Sequence, residues 1–104
     1  EVLVNDSGLK EIKLKVNFAR AWASTRRSLL LAGFNIVDED RNSGKFYLEY
    51  ESRRSIFSRT PSLSKVEIQV SEKDKDECII STDLGIENLD ISEEIISQIN
   101  QALS

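Results

Sequence analysis

Two different spacings of apolar residues open the chain. In residues 11–16, EIKLKV, every second residue is apolar, which is the pattern of a half-buried strand. After this segment the spacing becomes helical, because apolar or small residues recur at intervals of three and four and so share one stripe. The residues of this stripe are Phe18, Trp22, Thr25, Leu29 and Ala32. Asn17 can cap the start of the helix, and Gly33 suits a left-handed cap at its end, so the pattern predicts a helix over 18–32.

Four further strands are predicted after this helix. They are residues 34–40, 45–52, 63–70 and 78–84. The turn signal RNSG, which contains Gly44, joins the first two into a hairpin. The charged segment SEKDKDE, residues 71–77, is interpreted as the turn between the last two. The alternation of Val66, Ile68 and Val70 indicates that one face of the third segment is buried.

A second helix is predicted at the end of the chain, over residues 91–103. Its apolar stripe consists of Ile95, Ile96, Ile99, Ala102 and Leu103. Asp90 and Glu93 have the spacing of a capping box, in which an N-cap side chain and a residue three positions later satisfy free backbone N–H groups. Ser92 is an alternative cap.

The order of these elements, strand, helix, four strands, helix, predicts an α+β fold. Strands joined by short turns pair antiparallel, and one face of the sheet is apolar, so we expect about five antiparallel strands with both helices on one face. Residues 1–9 are polar and turn-rich from Val4 onwards and are interpreted as the end of a linker. Residues 10–104 then form a single domain.

Composition narrows the functional classes. The 104 residues carry a net charge of −4, so nonspecific attraction to nucleic acid or to an anionic membrane is not expected. The chain has no His, which removes the commonest general base and metal ligand. It has one Cys and no Met. We therefore expect no enzymatic activity, no metal and no cofactor, and we interpret the chain as a monomeric fragment of a longer protein.

Individual residues that suggest chemistry have simpler structural interpretations. In a strand, Asp38 and Asp40 point away from Glu39, so the three carboxylates do not converge on a metal. Cys78 follows two acidic residues and lacks a His partner, so it is interpreted as a small packing residue rather than a nucleophile. Trp22 shares the apolar helical stripe and is expected in the core. The aromatic strand KFYLEY lacks the glycines of an RNA-binding motif and carries acidic residues.

The segment RRSIFSRTPS, residues 53–62, is the main candidate for a contact surface. It places Ile56 and Phe57 outside any periodic pattern, among Arg53, Arg54 and Arg59. Aromatic and Arg residues are enriched at interfaces. In the alternative interpretation, Ile56 and Phe57 cover the edge of the sheet and the arginines are merely solvated.

Several motifs occur in a specific order over nearly the whole chain. NDSGLKEIKLKVNFARAW, residues 5–22, contains an F-x-x-x-W pattern at the start of the first helix. AGFNIVDEDRNSGKFYLEY, residues 32–50, contains a hairpin motif of Gly, Val, Asp, Arg, Ser and Gly, and KVEIQV and QINQALS match a later strand and the last helix. The hairpin matches are Gly33, Val37, Asp38, Arg41, Ser43 and Gly44. Together these motifs resemble the C-terminal helix-grip domain of the BamC (NlpB/DapX) lipoprotein family, although the loop over residues 53–62 is short and basic for that family.

The resemblance implies a location, partners and a role. A domain of this family is non-enzymatic and lies in the periplasm, and a lipidated Cys upstream of it anchors the protein to the outer membrane. The full protein has two helix-grip domains. Its partners are other subunits of the β-barrel assembly complex, and its role is accessory to the assembly and insertion of outer-membrane proteins. The alternative is a module that binds a small apolar ligand between sheet and helix, as helix-grip folds can.

Overall fold

The computed structural model describes residues 1–52 and 62–103 of the chain. Within these residues there are six strands and two helices. The strands are β1 (Val2–Val4), β2 (Lys10–Leu14), β3 (Asn35–Asp40), β4 (Lys45–Ser52), β5 (Ser62–Asp74) and β6 (Glu77–Thr82), and the helices are α1 (Phe18–Leu31) and α2 (Leu89–Leu103). The predicted α+β class is therefore confirmed.

The six strands form one antiparallel sheet in the order β1-β2-β6-β5-β4-β3. The sequence pattern predicts about five strands, and the additional one is Val2–Val4, which lies in the segment interpreted as the end of a linker. This strand pairs with β2, so that Val2 lies opposite Ile12. A turn between them is held by the Asn5 side chain, whose Oδ1 atom accepts from the Ser7 and Leu9 backbone N–H groups at 2.9 and 3.0 Å.

Strand β5 is longer than its hydrophobic alternation predicts. It continues to Asp74, and only Lys75 and Asp76 remain as the turn to β6. The interpretation of residues 71–77 as a turn was therefore wrong for most of them. The charged residues stay in the strand because their backbone pairs with β6. Glu72 lies opposite Cys78 and, after an irregularity in register, Asp74 lies opposite Glu77.

The caps of the helices are only partly as predicted. Asn17 does cap α1, and its Oδ1 atom accepts from the Arg20 N–H at 2.9 Å. Gly33 follows α1 with a φ of +85°, as a left-handed cap requires. The caps proposed for α2 were wrong, because a short 3₁₀ helix over Ile86–Asn88 leads directly into α2 at Leu89.

Both helices pack on the same face of the sheet. Helix α1 contacts β3, β5 and β6, helix α2 contacts β2 and β6, and the two helices contact each other. Trp22 joins α1 to the sheet, since its ring stacks on the ring of Phe46 with centroids 4.0 Å apart. Its side chain is 7% exposed, which confirms its predicted place in the core. Fully buried side chains fill the layer between helices and sheet: Ile12, Leu29, Phe46, Leu48, Ile68, Ile80, Ile95 and Ile99.

None of the helices that the described residues form is long and apolar enough to cross a membrane.

Candidate functional site: a groove between the two helices

The contact surface predicted from the sequence lies outside the described residues. It comprises Arg53, Arg54, Ile56, Phe57 and Arg59, and all five positions fall between residues 52 and 62. The role proposed for these residues stays a prediction.

The second half of α1 carries the clearest group of exposed apolar side chains. Leu30 is 52% exposed and Leu31 is 65% exposed. Leu29, the first residue of the same LLL run, is fully buried, since the run turns through three directions around the helix and only one of them faces the sheet. The helical stripe predicted for α1 ends at Ala32 and therefore leaves Leu30 and Leu31 outside the core.

A groove lies between this part of α1 and the end of α2. We call it the interhelical groove, and its volume is about 280 Å³. Its lining residues are Ser24, Arg27, Ser28, Leu31, Ala102 and Leu103. On the other side of Leu31, a shallower depression of about 530 Å³ lies against Ala32, Gln98, Gln101 and Ala102. Leu31 thus stands between two hollows rather than in a packed layer.

Small side chains keep the groove open while the helix remains intact. The hydroxyl group of Ser28 donates to the Thr25 carbonyl oxygen at 2.8 Å, and the hydroxyl group of Thr25 donates to the Ala21 carbonyl oxygen at 2.7 Å. Both buried hydroxyl groups are satisfied within α1 itself, so neither needs a partner from α2. Ala102 presents only a methyl group from the other side. Three of the lining residues, Ser24, Ser28 and Ala102, are therefore too short to fill the groove.

The charges around the groove are asymmetric. Helix α1 contains three arginines and no acidic residue, whereas α2 contains three acidic residues and no Lys or Arg. Arg26 pairs with Glu39 on β3, with the Nε atom 3.2 Å from the carboxylate oxygen. Within residues 1–52 and 62–103, neither Arg20 nor Arg27 forms an ion pair. The groove side of α1 therefore carries positive charge that the described part of the domain does not neutralise.

Two ion pairs lie on the outer face of the sheet. Lys13 lies 2.9 Å from the Glu77 carboxylate and Lys45 lies 3.5 Å from the Glu67 carboxylate. The hydrogen bond and the negative charge of Glu77 raise the pKa of the Lys13 ammonium above its ordinary value. These cross-strand pairs are typical of a solvated sheet face.

The residues that suggested chemistry in the sequence make structural contacts instead. Asp40 accepts from the Asn42 and Ser43 N–H groups, which closes the hairpin turn, and Glu39 is the partner of Arg26. The Cys78 thiol is fully buried and lies 3.6 Å from the Val16 carbonyl oxygen. Burial, with smaller effects of Glu72 and Glu77, raises the pKa of this thiol. A thiolate nucleophile is therefore disfavoured at this position.

No group of three or more acidic or Cys side chains that could hold a metal ion occurs in the part of the chain that the structure describes.

A polar cleft of about 500 Å³ lies beside the β3–β4 hairpin, between Phe18, Arg41, Gly44 and Glu72. It contains four residues of the motifs that resemble the BamC family: Phe18, Arg41, Ser43 and Gly44. Two of these have structural roles. Gly44 forms the turn and its carbonyl oxygen accepts from the Val70 N–H at 2.7 Å, and the Phe18 ring lies 6.0 Å from the Trp22 ring. The cleft is therefore explained by the packing of the hairpin.

Sequence reasoning did not find the interhelical groove. The pattern that predicted α1 identified its buried stripe, and the exposed leucines were left without a role. The signal was present, because three consecutive leucines cannot all face the core from one helix turn. The small residues opposite them, on α2, become relevant only when the two helices are brought together by the fold.

A comparison of the chain with protein-family models found no match, and a comparison with curated proteins found none either.

Proposed function

We propose that this domain is a non-enzymatic protein-interaction domain of a periplasmic lipoprotein, anchored to the outer membrane and accessory to the assembly of β-barrel proteins there. The assignment to this setting rests on the sequence motifs that resemble the BamC family. The observation that carries the interaction role is the combination of a filled core with an open groove on the outside, between α1 and α2, beside which Leu31 is exposed.

The filled core favours protein contact over the binding of a small apolar ligand. A ligand-binding domain of this architecture needs room between the sheet and the helices. Here that layer is occupied by the Trp22–Phe46 stack and by isoleucines from both helix and sheet, such as Ile80 and Ile95. Enlarging the layer for a ligand would displace side chains whose burial contributes roughly 1.5–3 kcal/mol each.

The exposed leucines have the properties of a contact surface. Leu30 and Leu31 lie side by side at the end of α1, and Leu31 borders both hollows beside α2. Isolated exposed apolar residues are ordinary on protein surfaces, but a group next to a groove marks interaction sites more often. The arginines of the loop over residues 53–62 remain a second candidate surface, as the sequence predicts.

Site-specific photo-crosslinking in the intact lipoprotein tests the proposal. A photoreactive amino acid is placed at position 31 in one variant and at position 57 in another, and outer membranes are irradiated before extraction. We expect residue 31 to form an adduct with a subunit of the β-barrel assembly complex. Mass spectrometry of the adduct identifies the subunit and the crosslinked peptide.

A position on the opposite face of the domain provides the matched control. Gln69 is exposed and lies on the outer face of the sheet, so the same amino acid at position 69 should form little or no adduct. Adducts at neither position 31 nor position 57 would remove the proposed role in assembly. Equal adducts at positions 31 and 69 would show crowding rather than a specific contact.

A further inference from the structure

We propose that the interhelical groove binds an acidic amphipathic helix of a partner protein. The inference rests on the proposed interaction role and specifies the chemistry of the partner. It assigns the groove as the site of an apolar anchor side chain and assigns Arg20 and Arg27 as the groups that receive the carboxylates of the partner.

The first argument is the alignment of α1 side chains. Arg20, Ser24, Arg27 and Leu31 are all exposed, and their successive intervals of four, three and four residues place them on one stripe of the helix. This stripe extends over about 16 Å, because each residue of a helix advances the axis by about 1.5 Å. It therefore offers about three helical turns, with charge in its first two-thirds and the apolar side chain of Leu31 at its end.

The second argument is the sign of the charge. The domain has a net charge of −4, yet this stripe carries two arginines and no acidic side chain. The α2 residues that border the two hollows, Gln98, Gln101, Ala102 and Leu103, are uncharged. Since Arg20 and Arg27 form no ion pair with any described residue, both can receive a carboxylate from outside. Charge complementarity therefore selects an acidic partner.

The third argument concerns the backbone of the partner. The groove is walled by two helices, so it presents mainly side chains and offers no free sheet edge. An extended segment laid there would leave its own N–H and C=O groups without protein partners. A helix satisfies most of its backbone groups internally and can insert an apolar side chain into a hydrophobic groove. Two carboxylates that are seven residues apart lie on the same face of a helix. Their separation along the helix axis then equals that of Arg20 and Arg27 on α1.

A second copy of the chain does not supply this helix within the described residues. Its α1 would bring arginines against arginines. Its α2 is acidic, but the apolar residues Ile95 and Ile99 are fully buried against its own sheet. The α2 helix therefore cannot place an apolar side chain in the groove of another molecule while remaining folded. The occupant is thus a helix of a different protein.

Two synthetic helical peptides of equal length test the inference directly. Both carry the same Leu and Ala positions, and one has Glu where the other has Lys. Each is titrated into the ¹⁵N-labelled domain in low salt, and backbone amide shifts are followed by NMR. We expect saturable shifts with the Glu peptide, confined to α1 from Arg20 onwards and to the end of α2, and no saturable shifts with the Lys peptide.

Charge reversal at two neighbouring arginines separates a specific contact from general attraction. Arg27→Glu should weaken binding of the Glu peptide about tenfold or more, since charge-assisted hydrogen bonds contribute strongly to affinity. Arg26→Glu changes the net charge identically, but Arg26 pairs with Glu39 away from the groove, so its effect should be several times smaller. Leu31→Ser should also weaken binding, and circular dichroism checks that each variant is folded.

Several results would overturn the inference. Equal losses for Arg26→Glu and Arg27→Glu would show nonspecific attraction, and equal binding of both peptides would show that charge does not select the partner. Concentration-dependent shifts at the groove without peptide would identify a second copy as the occupant. If residue 31 crosslinks to the assembly complex but the Glu peptide does not bind, the partner helix is not acidic, and the proposed function stands without this inference.

Discussion

At the scale of single residues, Gly44 shows how one position fixes a turn. Its φ is +73°, in the left-handed region that side chains with a Cβ avoid. Its carbonyl oxygen accepts from the Val70 N–H, so the turn lies directly against β5. A Cβ added at this position would overlap the Val70 carbonyl oxygen. Conformation and space thus both require glycine here.

Gly44→Ala should lower the free energy of unfolding by about 2–5 kcal/mol, since backbone strain of about 1–2 kcal/mol adds to overpacking of about 1–3 kcal/mol. Gly33→Ala is the matched control. Its φ is +85°, but nothing lies within 4 Å of the added Cβ, so only the strain of about 1–2 kcal/mol applies. Urea denaturation measures both variants. Equal losses for the two variants would mean that the hairpin moves away from Val70 with little loss of free energy of unfolding.

Cys78 provides a second prediction at this scale. Its thiol is buried and its pKa is raised by that burial, so the reactive thiolate is scarce in the folded state. At about pH 8, a thiol reagent should therefore modify Cys78 at least about tenfold more slowly in the folded domain than in urea, because reaction requires local or global opening. The variant Cys78→Ala with Ser43→Cys places the thiol on the exposed hairpin turn and should react rapidly in both conditions.

Because the folded pKa of Cys78 is raised, the unfolded chain loses the thiol proton first as the pH rises through the ordinary value of 9.0. The stabilising contribution is therefore complete below that value and is lost as the pH passes through the raised folded pKa. Rapid modification of Cys78 in the folded domain at about pH 8 would contradict the burial of the thiol.

At the scale of elements, a stacked aromatic pair is the main contact described between α1 and β4. The ring of Trp22 stacks on that of Phe46 in β4, and the Phe18 ring lies beside it. Asn17 fixes where the helix begins, so that Trp22 falls on the side facing the sheet. The same geometry places Leu30 and Leu31 outward. The anchoring of the helix and the exposure of its final leucines therefore have one cause.

Trp22→Ala should reduce the free energy of unfolding by about 3–5 kcal/mol, since it removes buried area and leaves a cavity above Phe46. Denaturant melts of the domain measure this effect. Leu30→Ala is the control on the same helix, because its side chain is half exposed, and its effect should be about 0.5 kcal/mol or less. A loss below about 1 kcal/mol for Trp22→Ala would place this ring outside the cooperative core.

The elements whose apolar residues recur at a clear period were predictable from sequence. Those that depend on the pairing of one strand with a distant strand were not. The helix over 18–32 and the hairpin around Gly44 follow from local spacing and turn chemistry. Strand β1 has only three residues, too few to show alternation, and it exists through its pairing with β2. Strand β5 continues into charged residues because β6 lies alongside it. Neither effect can be predicted from the local spacing of apolar and polar residues.

The candidate site was even less accessible to sequence analysis. The exposure of Leu31 depends on where α2 ends beside it, and the groove depends on small residues from both helices, Ser28 and Ala102. These residues are 74 positions apart in the sequence, as their numbers show, and nothing in either segment alone indicates a groove. The expectations drawn from composition alone, the absence of His and the acidic net charge, stay predictions about which chemistries this chain lacks.

At the scale of the whole molecule, the two edges of the sheet differ. Strand β3 carries Asp38, Glu39 and Asp40 and an irregular register at Val37, features that oppose further strand addition. Strand β1 is uncharged and short, and Val4 is 65% exposed. It nevertheless covers β2, whose Ile12 is fully buried. Residues 1–9 therefore complete the sheet rather than merely leading into it.

Deletion of residues 1–9 should leave the remaining domain folded but less stable, by about 2–4 kcal/mol, since a few backbone hydrogen bonds of about 0.5–1.5 kcal/mol each are lost. Those lost include the two between Glu1 and Lys13, at 2.8 and 3.1 Å. The same deletion exposes the free edge of β2 beside Ile12.

Urea denaturation of the full-length and the shortened domain measures the change. The control is Val4→Ser, which keeps the backbone pairing and alters only an exposed side chain. It should change the free energy of unfolding by about 0.5 kcal/mol or less. Unchanged stability after the deletion would return residues 1–9 to the role of a linker, whereas loss of the cooperative transition would make β1 indispensable to the fold.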